Sequence, residues 1–168
     1  TPFRRARFLN FLDPWKDASE VGYQLIHSLY AIGSGGFFGV GLGQSKQKAL
    51  YIPEPYNDFI FSIIIEETGF LGGMIIISLF LVLIAAGINV AIKAKDMYGR
   101  LLATGIISVV AIQLIINVAV VTGSMPVTGI PMPFISYGGT SMVFIMAAMG
   151  IVLNIAKVSK TVDKKQLS

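Results

Sequence analysis

The sequence predicts an all-α integral membrane protein in which three transmembrane helices follow an outer loop with short amphipathic helices. The first observation is the composition: 54% hydrophobic and 13% charged residues, with a mean hydropathy of +0.74, are too apolar for a soluble domain. The second is that residues 70–92, 101–121 and 140–156 carry no formal charge, and each stretch is close to the roughly 20 residues that cross a hydrocarbon core. The chain has no cysteine, which excludes disulfides, thiolate metal sites and a cysteine nucleophile.

The basic residues predict how the chain is oriented. They cluster in the connection between the first two spans and after the third span, whereas residues 122–139 carry no charge. Because cytoplasmic loops carry an excess of Lys and Arg, we expect the C-terminal tail to be cytoplasmic and the uncharged connection to lie outside. Residues 1–57 are then an extracytoplasmic loop, and residues 58–168 form a three-span region of the cytoplasmic membrane. The net charge of +4 indicates no nucleic-acid partner, since the cations lie in loops and at the ends.

The predicted outer loop contains two segments before its glycine-rich part. Residues 1–20 mix cations with aromatic side chains, which is typical of the membrane interface, and residues 21–32 show the spacing of a short amphipathic helix. Six glycines follow between residues 33 and 43, and Lys46 and Lys48 come directly after them. Glycine lets backbone amides approach a ligand closely. This segment therefore either holds a pyrophosphate through amides and ammonium groups or is a flexible loop with a solvated basic end.

Three carboxylates, Asp58, Glu66 and Glu67, stand at the head of the first apolar stretch. Desolvation disfavours a charged acid beside hydrocarbon, so a segment that keeps such acids uses them or pairs them. Asn57 or Asp58 is also well placed to cap the following helix. A helix that ran unbroken through the whole stretch would be longer than the hydrocarbon core is thick. Either Asp58 lies at or above the outer boundary, or the helix bends at the glycines of residues 69–73.

Polar and broken backbone recurs around the second span. Gln113 and Asn117 lie four residues apart on one helix face, and hydrogen bonds to neighbouring helices are their favoured role. The uncharged connection at residues 122–139 holds three prolines. It is too apolar for a solvated loop and too broken for a helix, so we expect backbone packed against protein at membrane depth.

Three pieces of the chain carry long and specific motifs. They are FLDPW with GYQLIHSLYAIGSGG in residues 11–36, GVGLGQSKQK with YIPEPYNDFIFSIIIEETGFLGG in residues 39–73, and PVTGIPMPFISYGGTS in residues 126–141. Together they resemble the C-terminal part of the SEDS family, the polytopic FtsW, RodA and SpoVE proteins. The resemblance implies that these spans are the last three of a ten-span bundle, with the large outer loop before them.

The resemblance also implies a function for the complete protein: a peptidoglycan glycosyltransferase that polymerises lipid II during cell division, elongation or sporulation. The family's essential aspartate falls on Asp58, which here follows Asn57 where the family usually has Thr. Forming a β-1,4 link from an α-linked sugar pyrophosphate inverts the sugar carbon, so we expect Asp58 to be the base that takes the acceptor's proton. Lys46 and Lys48 are expected to hold the pyrophosphate. The candidate substrate-binding residues are Lys46, Lys48, Glu54, Asn57 and Ser136.

The implied partners are lipid II, a class B penicillin-binding protein transpeptidase, other division or elongation proteins, and membrane lipids. A divalent cation could share the charge of the pyrophosphate, but no cluster of ligands in the sequence identifies a site. Two other functions stay open: a lipid II flippase, because intramembrane polar groups also mark transport pathways, and a membrane scaffold for the transpeptidase. Three spans alone should be inactive and should expose apolar faces that further spans would cover.

Overall fold

The structure is a computed structural model, and it describes residues 21–45 and 58–166. These ranges contain four helices and no strand: α1 (Val21–Gly35), α2 (Ile60–Lys93), α3 (Met97–Val121) and α4 (Gly139–Gln166). Three segments are long and apolar enough to cross a membrane, namely α2, α3 and the Gly139–Ser159 part of α4. The all-α class and the three predicted transmembrane helices are therefore confirmed.

The first helix, α1, confirms the amphipathic helix predicted for residues 21–32 but is longer. It continues through Gly33 and ends at Gly35, so the first glycines of the glycine-rich segment are helical. One side of α1 is buried, including Leu25, Ala31 and Ser28. The Ser28 hydroxyl donates a hydrogen bond of 3.0 Å to the carbonyl oxygen of Val121 at the end of α3. Thus α1 is fastened to the membrane helices rather than lying apart from them.

The second helix, α2, contains a break at Gly69, which was one of the two alternatives that the sequence left open. Gly69 has φ 74° and ψ −174°, which is not a helical conformation. The start of α2 differs from the prediction. Phe59 occupies the N-cap position and makes no side-chain capping bond, so the prediction that Asn57 or Asp58 caps this helix is wrong. Phe59 is only 2% exposed, and its burial in the core leaves Asp58 outside the cap position.

The hydrophobic core joins α2, α3 and the connection between α3 and α4. Its buried members are Phe59, Phe61, Ile65, Phe80, Val110, Leu114, Val120, Val121, Val127 and Met132. Two of them, Val127 and Met132, belong to the connection of residues 122–138, which confirms that this broken backbone packs against protein. The core therefore lies toward the end of the bundle where α2 begins, α3 ends and α4 begins. We call this the Asp58 end and the opposite one the Lys93 end.

Much apolar surface is left uncovered, most clearly on α4. Val143, Phe144 and Leu153 are 67%, 71% and 68% exposed. Large aliphatic side chains of α2 and α3 are also open, among them Leu79 and Ile115. Contiguous apolar surface of this kind marks an interface with protein or lipid. The expectation that these three helices expose faces suited to further contacts is confirmed.

Candidate functional site

The candidate catalytic residue, Asp58, lies at the foot of α2 and is half-buried. Its carboxylate lies against Gly129 in the connection between α3 and α4. A Cβ placed on Gly129 would be 3.5 Å from Oδ2 of Asp58. Gly129 has φ 73°, a left-handed conformation that glycine adopts without penalty. The carboxylate thus lies against irregular backbone at a residue without a side chain.

Asn117 of α3 joins the backbone of Asp58 to the connection between α3 and α4. Its side-chain nitrogen Nδ2 donates to the carbonyl oxygen of Asp58 at 3.0 Å and to that of Ile130 at 3.0 Å. Asn117 is 1% exposed, and its two bonds reach backbone of half-buried residues. The sequence predicted hydrogen bonds to neighbouring helices, but the partners of Asn117 are irregular backbone before α2 and in the connection after α3. Gln113, one turn away, has a buried Oε1 that no hydrogen-bond donor reaches within the described residues.

The break in α2 is completed by the glycine-rich segment that follows α1. In a regular helix, the carbonyl groups of Glu66 and Glu67 would accept from the amides four residues later, those of Phe70 and Leu71. Instead, these two carbonyls accept from Val40 (2.9 Å) and Gly41 (3.1 Å). The freed amides of Phe70 and Leu71 donate to the carbonyl groups of Gly36 (3.0 Å) and Phe37 (3.4 Å). The segment thus supplies both the donors and the acceptors that the interrupted helix lacks.

This pairing explains why glycine is required on both sides of the contact. A Cβ on Gly39 would overlap the carbonyl oxygen of Glu67, and one on Gly69 would overlap backbone atoms of Gly39 and Phe37. The amide of Gly39 is itself bonded to the carbonyl of Gly35 at 2.7 Å. The amides of Gly39, Val40 and Gly41 therefore all serve the fold. A role for these three amides in holding pyrophosphate is not supported, because their hydrogen atoms are already donated.

The two glutamates beside the break have different surroundings. Glu66 is 2% exposed, and its Oε2 accepts a hydrogen bond from the hydroxyl of Ser45. Glu67 is half-buried, and among the described residues no hydrogen-bond donor reaches its buried Oε1. Glu66 thus fastens the end of the glycine-rich segment to α2.

Ser136, a predicted substrate-binding residue, lies in a tight turn of the connection before α4. It is 6% exposed, and its hydroxyl accepts a hydrogen bond of 2.7 Å from the amide of Met132. The amide of Ser136 donates in return to the Met132 carbonyl at 3.1 Å. Phe134, inside this turn, has φ 62°, which is uncommon for an aromatic residue. Ser136 shapes the connection on which Asp58 lies, and its contact with substrate stays a prediction.

The other predicted substrate-binding residues, Lys46, Lys48, Glu54 and Asn57, lie outside the described residues. The structure therefore brings together Asp58, Asn117 and the connection, and it leaves the lysine hypothesis as a prediction. Within residues 21–45 and 58–166, no group of three or more His, Cys, Asp or Glu could hold a metal ion.

Sequence reasoning missed three features of the site. Asn117 was recognised as a polar interhelical residue, but its link to Asp58 depends on a contact across 59 positions of the chain. Gly129 gave no signal beyond being a glycine among prolines. Ser45 looked like one more polar loop residue, and only the fold shows that its hydroxyl meets Glu66.

Comparison with known proteins places this architecture in a family. The model of the FtsW, RodA and SpoVE family, described as cell cycle protein, matches residues 1–161. Stage V sporulation protein E of Bacillus subtilis (strain 168) is 53% identical over 159 residues, which are 95% of this chain and 43% of that protein. A probable peptidoglycan glycosyltransferase FtsW of Geobacter sp. (strain M18) is 47% identical over 154 residues, 92% of this chain and 42% of that protein. The chain thus spans about two fifths of the length of these relatives.

Solved structures show the same fold. One of them superposes on this chain with a TM-score of 0.75 and 28% identity. Its description is "Structural coordination of polymerization and crosslinking by a peptidoglycan synthase complex", and the match covers 95% of this chain and 43% of the solved chain. A mutant of the rod shape determining protein RodA of Thermus thermophilus gives a TM-score of 0.60 and 32% identity over 77% of this chain and 39% of that one. With three membrane-crossing helices and this match over nearly its whole length, the chain is a multi-pass membrane protein that belongs to the FtsW, RodA and SpoVE family.

Proposed function

We propose that the complete protein is a peptidoglycan glycosyltransferase that polymerises lipid II, and that Asp58 is its general base. The observation that carries this proposal is the placement of Asp58: a half-buried carboxylate held over Gly129, with its own backbone bonded to Asn117. A general base needs a fixed position and partial access to substrate. The names of the relatives support the same class of reaction, since one is a probable peptidoglycan glycosyltransferase.

The proposed chemistry is an inverting glycosyl transfer. The hydroxyl of the acceptor sugar attacks the anomeric carbon of the donor, and the lipid pyrophosphate leaves from the opposite face. Asp58 takes the proton of the attacking hydroxyl as the new bond forms. General base catalysis typically contributes about 10² to 10⁴ in rate. Lys46 and Lys48 complete the proposal by holding the pyrophosphate as its charge develops.

The proposal also fixes an orientation in the cytoplasmic membrane. The Lys93 end carries Lys93, Lys95, Arg100 and Lys157, and such cations mark the cytoplasmic side. The Asp58 end then lies at the outer face, with residues 1–57 as the outer loop and the C-terminal tail inside. A class B penicillin-binding protein is the proposed transpeptidase partner. The solved complex whose description names polymerization and crosslinking supports this pairing.

The experiment that tests the function is lipid II polymerisation by the full-length protein purified with its transpeptidase partner. We expect glycan from the wild type and a loss of about 10² or more in rate from Asp58→Asn. Asp96→Asn is the matched control, because Asp96 makes the same chemical change at the Lys93 end, where its side chain caps α3 at 2.6 Å from the Gly99 amide. Asparagine is an equally good N-cap, so this control should keep full activity.

Two results would contradict the proposal. Full polymerase activity in Asp58→Asn would remove the assigned base. A wild-type protein that moves lipid II across vesicles without forming glycan would instead favour the flippase.

A further inference from the structure

Asn117 is a polar side chain near the candidate base that is only 1% exposed, and both of its amide hydrogens are used. One goes to the carbonyl oxygen of Asp58 and the other to that of Ile130, each over 3.0 Å. An amide nitrogen has two hydrogens to donate. The side chain therefore bridges the residue before α2 and the connection after α3, two parts of the chain that share no sequence proximity.

The two carbonyl groups that Asn117 bonds lie in irregular backbone. Asp58 precedes the N-cap residue Phe59. The carbonyl of Phe59 accepts hydrogen bonds from the amides of Ser62 and Ile63 in the first turn of α2. Ile130 precedes a proline, in a segment without regular structure. Buried carbonyl groups in such segments need a donor from elsewhere. Asn117 supplies that donor to both of them.

The orientation of the Asn117 amide is determined by these contacts. Turning it over would bring Oδ1 against two carbonyl oxygens, which repel it. In the orientation observed, Oδ1 is buried and meets no donor within the described part of the chain. The side chain thus leaves one acceptor unsatisfied in order to keep both donations, which indicates that the bridge is the role of this residue.

The bridge joins the backbone of Asp58 to the backbone that lies beside its carboxylate. One bonded carbonyl belongs to Asp58 itself, and the other belongs to Ile130. Ile130 follows Gly129, the residue that lies against Oδ2 of Asp58. Loss of the bridge would free the carboxylate to move relative to the connection. A displacement of about 1 Å in a catalytic group can cost about 10²-fold in rate.

We infer that Asn117 is a positioning residue for Asp58, acting through the two backbone carbonyl groups that it joins. The inference rests on the proposed role of Asp58 as the base. Asn117 does not touch substrate in this scheme, so its replacement should lower kcat and leave the KM for lipid II unchanged.

The test uses the full-length protein with its partner and compares Asn117→Leu with Gln113→Leu. Both changes remove a side-chain amide from the same face of α3, but Gln113, which is half-buried, makes no hydrogen bond to Asp58 or the connection. We expect Asn117→Leu to lose about 10- to 100-fold in kcat and Gln113→Leu to stay within about two-fold. Gly129→Ala is a second variant that disturbs the same contact from the other side, and it too should lower kcat.

The decisive readout is a double-mutant cycle with Asp58→Asn in single turnovers. A positioning residue acts only through the group it positions, so Asn117→Leu should cause no further loss once Asp58 is Asn. An equal loss in both backgrounds, or a wild-type kcat for Asn117→Leu beside an inactive Asp58→Asn, would overturn this inference alone. A fully active Asp58→Asn protein would overturn the proposed function and this inference with it.

Discussion

The two ends of the bundle are held together in different ways. At the Asp58 end, the hydrogen bonds join residues far apart in sequence: Ser28 with Val121, and Asn117 with both Asp58 and Ile130. At the Lys93 end, a long-range bond joins Ser159 to Lys93, but the bonds within the connection between α2 and α3 are local. The Asp96 carboxylate accepts from Gly99 three residues away, and the Arg100 side chain donates to the carbonyl of Ala94 six residues away.

The contrast follows from the backbone at each end. At the Lys93 end, α2 and α3 stay regular up to a short connection, so few backbone groups need outside partners. At the Asp58 end, a broken helix and a proline-rich connection free many amides and carbonyls, and each buried one requires a partner. Irregular backbone is tolerated at membrane depth where it is packed in protein or lines a cavity. The acids Asp58, Glu66 and Glu67 all lie at this end.

The largest expected effect comes from filling the close contact at the break in α2. Gly69→Ala would place a Cβ against Gly39 and Phe37 at φ 74°, a conformation that costs a residue with a side chain about 1–3 kcal/mol before any clash. We expect a loss of about 3 kcal/mol or more in the free energy of unfolding, measured by thermal unfolding in detergent.

Gly105→Ala is the matched control for that substitution. Gly105 lies inside α3, and a Cβ there meets nothing within 4 Å. Alanine in a regular helix is about 0.5–1 kcal/mol more favourable than glycine, so this variant should be as stable as the wild type or more so. If Gly69→Ala behaved like Gly105→Ala, the backbone pairing at the break would be wrong.

Several features of the fold could be predicted from the sequence. Hydropathy alone predicts the three spans, because a long uncharged stretch has few other structures available to it. The bend in α2 was predictable as one of two alternatives, since the length of the stretch and its glycines allow a bend near Gly69. The polar bridge of Asn117 was predictable as a type of contact, since a polar side chain on an apolar helix needs a partner.

The partners themselves were not predictable, because they are set by contacts across the fold. The glycine-rich segment could be interpreted as a ligand cradle or as a flexible loop, and residues 36–41 are instead the missing part of the hydrogen bonding of α2. Composition shows that glycine permits close approach but does not show to what. Likewise, the cap of α2 was misplaced because burial of Phe59 in the core, a tertiary effect, decides where that helix starts.

An intermediate effect is expected from the side-chain bond that fastens the glycine-rich segment. Ser45 is 7% exposed, and its hydroxyl donates to the carboxylate of Glu66. Removing one partner of a buried hydrogen bond costs about 1–3 kcal/mol, and Ser45→Ala should reduce the free energy of unfolding by that amount. Ser78→Ala is the control, because the Ser78 hydroxyl is exposed and bonds only within its own helix, to Met74. Equal stability of the two variants would show that the Ser45 contact adds nothing.

The smallest effect is expected at the Lys93 end, where one long-range bond joins α4 to α2. The hydroxyl of Ser159 donates to the carbonyl of Lys93 at 2.6 Å, close to a helix terminus whose carbonyl groups lack partners within the helix. Both groups are neutral, so Ser159→Ala should cost only about 0.5–1.5 kcal/mol. Thr104→Ala serves as the control, since the Thr104 hydroxyl bonds within α3, to Arg100.

Ser159→Ala also separates stability from catalysis. It lies at the opposite end of the bundle from Asp58, so the kcat for lipid II polymerisation should stay within about two-fold of wild type even where the melting temperature falls. A stability loss as large as that of Ser45→Ala, or a fall in kcat like that expected for Asn117→Leu, would mean that the two ends are coupled through α2 and α3. The contrast between the local bonds of the connection at the Lys93 end and the long-range bonds at the Asp58 end would then no longer separate stability from catalysis.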